Sequence, residues 1–294
     1  MLLTQTSDIM IPVVKKSAAD LASIRDGLST IKKSLIGFVA NQPTSPAPTP
    51  EKDLPAFIKK SAICDIDKWF NFQFPICWFG NINSDRDIIL TLGINPSDKE
   101  FSNKTGFLSS SINQNDPKSL IHAYNSYFKK PYEWFKTQQS YLQKYGLNAD
   151  YGDALYKRKD YQLIHVDLFP FATNPVWGKL KPMLPEDFRQ LLFLYGLPVL
   201  KRIIEVCKPK LILSFGEFDT KISVLRDDKS LNFNPSKAVK VPNKDNAKKL
   251  TNGTITYSGI QVPIILSSVV FSQPNSGIEE HMCKLMEEAQ TYLR

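Results

Sequence analysis

The chain has 294 residues, 42% of them hydrophobic, and carries a formal net charge of +8 with a pI of about 9.1. That length and apolar content bury a full core without disulfides or a structural metal, and no apolar run reaches the length of a membrane span. Basic balance favours a polyanionic partner; and because Cys64, Cys77, Cys207 and Cys283 form no C-x-x-C pair, while His281 beside Cys283 has no second pair nearby, neither zinc nor an iron–sulfur cluster is expected.

Met1-Leu2-Leu3 runs at once into polar residues, unlike a secretory leader, so a cytoplasmic protein with reduced thiols and no cofactor is expected. Residues 1–40 form a first unit dominated by an amphipathic helix over 14–40. There Leu21, Ile24, Leu28, Ile31 and Leu35 recur at alternating steps of three and four, with Asp26 and Lys33 opposite. This stripe either packs on the rest of the chain or joins a second copy in a homo-oligomer. Residues 41–55 are a linker: Pro43, Pro46, Pro48 and Pro50 forbid a helix and favour an extended spacer. The first 55 residues hold six Lys/Arg and five Asp/Glu, so nearly all the excess charge belongs to the remaining unit, 56–294.

That unit alternates strands and helices. Asp87–Leu92 reads as a buried strand, followed by helical stretches around 117–129 and 131–145 and a second strand over Tyr161–Leu168. A long helix over 185–207 opens at Pro185-Glu186-Asp187. Lys210–Phe215 is a third strand, Val262–Ser267 a fourth, and 277–293 a closing helix. Between the last two strands, about 226–254 reads as a long polar loop with seven Lys/Arg against three Asp/Glu, either simply solvated or in contact with phosphates. Apolar strands separated by helices predict an α/β fold of three layers, α/β/α, around a central and mostly parallel sheet. Ligands of such sheets sit at the carboxyl ends of the strands.

The informative residues follow the strands. After the first comes Gly93-Ile94-Asn95-Pro96-Ser97, a sharp turn that aims Asn95 and backbone N–H groups into a crevice, or is only a turn. After the second comes His165-Val166-Asp167-Leu168-Phe169-Pro170-Phe171. A carboxylate between apolar strand residues needs a partner, and Phe169 and Phe171 beside it suit a stacking pocket. Asp167 capping a neighbouring loop is the plainer alternative. After the fourth strand, Ser272-Gln273-Pro274-Asn275-Ser276-Gly277 feeds a helix N-terminus, which suits a DNA phosphate or is an ordinary helix start.

Taken in order, these segments resemble the uracil-DNA glycosylase superfamily, nearest its single-strand-selective and mismatch-specific branches. GINPS resembles the first motif, G-x-N-P-G; LIHVDLFPF, PEDFRQLL and KPKLILSFG resemble the matching stretch of the single-strand-selective branch. The resemblance covers about 56–294. It implies that Asn95 orients the attacking water and that Asp167 takes the place of the asparagine that reads the flipped base. It also implies that Gly93, Ile94, Pro96, Ser97, Phe101 and Phe107 line the base pocket, with Phe107 stacking from the Lys104-Thr105-Gly106-Phe107 loop. The chain departs from the pattern in three places. The H-P-S motif has no histidine here, and SQPNSG is closer to N-P-S-G, with Gln273 and Asn275 the candidates for stabilising the departing base. The first motif ends in Ser97 rather than glycine. Asp167 replaces asparagine.

The implied activity is monofunctional hydrolysis of an N-glycosidic bond in DNA after base flipping. An amide offers uracil one donor and one acceptor, but a carboxylate only accepts. Asp167 therefore favours cytosine's N4 amino donor over uracil's O4. Excising ordinary cytosine would destroy the host genome, so the expected target is a modified cytosine, as in phage DNA, and the expected role antiviral. Two other readings stay open: a DNA-binding module that has lost catalysis, and a nucleotide hydrolase using the same crevice.

Overall fold

Asp87–Gly93 (β1) is apolar at every position from Ile88 to Leu92 except Thr91, and all five of these side chains are buried. Such a run needs cover on both faces, which an internal strand of a parallel sheet has. In the computed structural model, which describes residues 76–82, 84–96, 117–129, 133–152, 159–170, 172, 177, 196–242, 247–271 and 278–293, that is its place. β1 pairs in parallel with Tyr161–Asp167 (β3) on one side and Leu211–Phe215 (β4) on the other. The short strand Ala149–Asp150 (β2) flanks β3, and Ile260–Ser267 (β8) flanks β4, both parallel. All four expected strands are present, within two residues of their expected limits.

The helices follow the expected order. Pro117–Ser126 (α1), with a 3-10 turn over Tyr127–Lys129, and Glu133–Lys144 (α2) connect β1 to β3. Leu197–Cys207 (α3) precedes β4 and buries Leu197, Val199, Leu200, Ile203 and Ile204, one stripe at helical spacing. Lys208 ends it in a left-handed conformation, with its N–H on Ile204 O at 2.9 Å. Glu279–Leu293 (α5) closes the chain with Glu279 and Glu280 in its first turn, where the helix dipole favours carboxylates. No helix among the described residues is long and apolar enough to cross a membrane.

The polar segment about 226–254 corrects the sequence expectation. It is not a loop. Phe218–Asp227 (α4) runs into it, and three strands follow: Asn234–Pro235 (β5), Val239–Val241 (β6) and Lys248–Tyr257 (β7). β7 pairs antiparallel with β8, from Leu250↔Ser267 to Tyr257↔Ile260, and carries β5 and β6 on its outer side. The sheet is therefore mixed and eight-stranded, ordered β2-β3-β1-β4-β8-β7-β5, with β6 also on β7. Ser258 and Gly259 close the β7–β8 hairpin with φ of 49° and 75°, the paired positive values of a two-residue turn whose twist suits a hairpin.

The outer edge of β3 is covered twice. β2 takes its first residues, and the segment 76–80 takes the rest: Phe79 and His165 exchange backbone hydrogen bonds at 2.8 and 2.9 Å. At the amino end, Arg86 donates to Asp150 Oδ1 at 3.1 Å, to Lys159 O and Tyr161 O at 3.3 Å, and to Gln162 Oε1. This nearly buried guanidinium clamps β2, β3 and the start of β1 together. The helix over 14–40, the linker 41–55, residues 185–195 of the expected long helix, and Ser97, Phe101, Phe107, Phe171, Gln273 and Asn275 lie outside the described residues.

Candidate functional site

β1 and β3 run side by side, so residues two apart along each strand share a face. The register sets Thr91 beside His165 and Gly93 beside Asp167. All four sit at the carboxyl ends of adjacent parallel strands. A Cβ on Gly93 would lie 2.0 Å from Asp167 Oδ1 and 2.7 Å from His165 Nε2. The acidic and imidazole side chains thus lean across the one position on β1 that has no side chain. Glycine is required there for space.

Behind Asp167 runs a buried polar chain. Asp167 Oδ1 lies 3.3 Å from His165 Nε2, and His165 Nδ1 lies 2.8 Å from Thr91 Oγ1. Thr91 Oγ1 is 2.8 Å from the Tyr151 hydroxyl and 3.1 Å from Ile164 O, and the Tyr151 hydroxyl bonds the Gln138 amide of α2. Burial, above all, raises the Tyr151 phenol well above its ordinary range; the Thr91 bond opposes this and Asp167 adds to it. Phe135, Phe79 and Trp134 enclose the His165 ring, with centroids 4.9, 5.7 and 5.7 Å away. Asp167 is only 3% exposed, yet among the described residues its Oδ2 has no hydrogen-bond partner.

On β4's side, Lys221 of α4 is fully buried and donates to Leu92 O at 2.8 Å and Phe215 O at 2.6 Å. These carbonyls end β1 and β4, between which the chain connections diverge, the usual ligand crevice of an open parallel sheet. Burial lowers the Lys221 ammonium to about 7, with the charges of Asp167 and Glu217 pulling the other way. The site therefore has a buried amine at the ends of β1 and β4 and a buried polar chain behind Asp167.

The expected turn is well tied. Phe169 N donates to Ile94 O at 2.8 Å and Leu168 N to Gly93 O at 3.4 Å, joining the two strand exits. Asn95 is half-buried, with Nδ2 donating to Pro96 O at 3.2 Å; Pro96 is buried. Phe169 is buried and packs on Trp177 with ring centroids 5.8 Å apart. Of the twelve expected site residues, Gly93, Ile94, Asn95, Pro96, Asp167 and Phe169 are described, and they meet at one strand-end junction.

Sequence reasoning passed over His165, Thr91, Tyr151, Gln138 and Lys221. Three of them had a signal. Thr91 and His165 are polar residues inside otherwise apolar strands, and Lys221 falls on the buried stripe of Phe218, Val224 and Leu225. Tyr151 and Gln138 had none, since only the packing of α2 brings them to Thr91. A cleft of about 230 Å³ beside the start of β3, lined by Asn125, Lys129 and Gln162 among others, shares Tyr151 with this chain. No known protein family matches the sequence, and no curated protein matches it either.

Proposed function

We propose that the chain is a monofunctional DNA glycosylase of the uracil-DNA-glycosylase type, with a three-layer α/β/α catalytic unit. In this reading it flips a pyrimidine from DNA and hydrolyses the N-glycosidic bond to leave an abasic site. The observation that carries the reading is the meeting of Asp167 with the Gly93–Pro96 turn, where Gly93 has no room for a Cβ and the acid keeps one oxygen unengaged among the described residues. An acid so buried and so supplied with polar neighbours is costly for a fold to keep without a use.

The chemistry follows from the residues. The C1′–N bond breaks with its electron pair passing to the base, through an oxocarbenium-like state. Backbone N–H groups at Ile94 and Ser97, with Gln273 and Asn275, stabilise the departing base. Asn95 cannot take a proton; it holds the water that adds to C1′, and the proton that water loses ends on the anionic departing base. Asp167 accepts from an exocyclic amino group, which selects a cytosine-type base. A modified cytosine of phage DNA is the target this implies, with an antiviral role in the cytoplasm. DNA is the partner. The test is direct: oligonucleotides bearing uracil, cytosine and 5-substituted cytosines, single- and double-stranded, are incubated with the protein and scored for free base and alkali-labile sites. Salt-sensitive binding with no release from any of them refutes the enzymatic reading.

A further inference from the structure

The reaction proposed above uses Asp167 but none of the four groups behind it, and their protons can be counted. A hydroxyl has one proton to give, a neutral imidazole one, and a carboxylate none. In the contact as it stands, Tyr151 donates to Gln138 Oε1. Thr91 then gives its proton to Tyr151 or to Ile164 O, and His165 must donate from Nδ1 into Thr91. A neutral His165 would then turn a bare Nε2 lone pair toward Asp167 Oδ1. Gln138 Nε2, also buried, has no hydrogen-bond partner among the described residues, and a buried donor left unmade is costly.

Turning the Gln138 amide over, a change of no steric consequence, reverses every step. Nε2 donates to the Tyr151 oxygen, Tyr151 to Thr91, and Thr91 to His165 Nδ1. His165 then carries its proton on Nε2, the ring atom 3.3 Å from Asp167 Oδ1. Each contact along the chain now has one donor and one acceptor. The aromatic enclosure by Phe79, Trp134 and Phe135 restricts rotation of the ring.

We propose that the chain runs in this direction, so that Gln138, Tyr151 and Thr91 hold His165 as its Nε2–H tautomer. His165 is then a positioning residue: it commits Oδ1 of Asp167 and leaves Oδ2 to accept the amino group of the flipped base. The base-reading part rests on the glycosylase reading; the tautomer does not. Second-layer partners that fix an imidazole in this way govern the group it touches.

Nitrogen-15 NMR of the full chain labelled at histidine tests it. The sequence has three histidines, His122, His165 and His281. The exposed His122→Gln change removes one signal pair, and Thr91→Ser moves only that of His165. The expected spectrum near neutral pH has His165 protonated at Nε2 and bare at Nδ1. A bare Nε2, or a doubly protonated ring, overturns the proposal, whatever the activity. For the base, Thr91→Val is expected to lower kcat on the amino-bearing substrate about tenfold, the effect of one bond made to a charged group's partner, with KM little changed and Thr91→Ser restoring it. Equal activity of the valine and serine variants overturns the positioning role. If the wild type releases no base from any DNA, the glycosylase reading falls while the spectrum still decides the tautomer.

Discussion

Gly93 is the smallest residue at the site and the one that tolerates least. Asp167 Oδ1 and His165 Nε2 fill the space a Cβ would take, and both atoms belong to side chains wedged in the core. Gly93→Ala is therefore expected to cost about 1–3 kcal/mol by overpacking and to abolish activity by displacing Asp167; urea unfolding and the base-release assay check the two effects. Lys221 makes a different prediction. Its folded value is about 7 against an ordinary 10.5, so between these the unfolded chain holds a proton that the folded chain has lost. Stability then rises with pH through that window; below it both states are protonated and the slope vanishes. Lys221→Met is expected to flatten the rise. Urea midpoints of the two proteins from about pH 6 to pH 10 decide it, and parallel curves would assign the titration to other groups.

At the scale of elements, the strands that build the site were legible because each is mostly apolar and buried: β1, β3, β4 and β8 each bury at least five side chains. β7 was not. Its side chains are half-buried at most positions, so its lysines, asparagine and threonines looked like loop composition. The local signal was Ser258-Gly259 between Thr254-Ile255-Thr256-Tyr257 and Ile260, a hairpin turn flanked by β-formers. The polar chain was legible only in halves: Asp167 stood out, but its link through His165 and Thr91 to Tyr151 depends on strand register and on α2. The amino-end clamp gives a prediction at this scale. Arg86→Met leaves Asp150, 2% exposed, as an uncompensated buried charge, and is expected to cost about 3–5 kcal/mol, read as a lower urea midpoint. An effect within about half a kcal/mol, the size of an ordinary surface substitution, would mean that water or another cation replaces the guanidinium.

For the whole molecule, charge and linker divide the chain into a near-neutral leading unit and a basic remainder. The Pro43–Pro50 spacer predicts that few contacts cross it, so deleting residues 1–50 is expected to leave a folded catalytic unit with a cooperative melt. A broad transition or insolubility would make the helix over 14–40 part of the core; a change of mass in light scattering would make it the contact between copies. The central claim concerns the base. Asp167→Asn exchanges a pure acceptor for a donor and an acceptor, and sites built on such buried polar partners can reject the wrong one by ~10⁴-fold. The deciding measurement compares the wild type and Asp167→Asn on deoxyuridine, cytosine and 5-substituted cytosine oligonucleotides. The expected result is release of a modified cytosine by the wild type, weakened in the variant, with uracil release gained; strong wild-type release of uracil with no activity on any modified cytosine would contradict it.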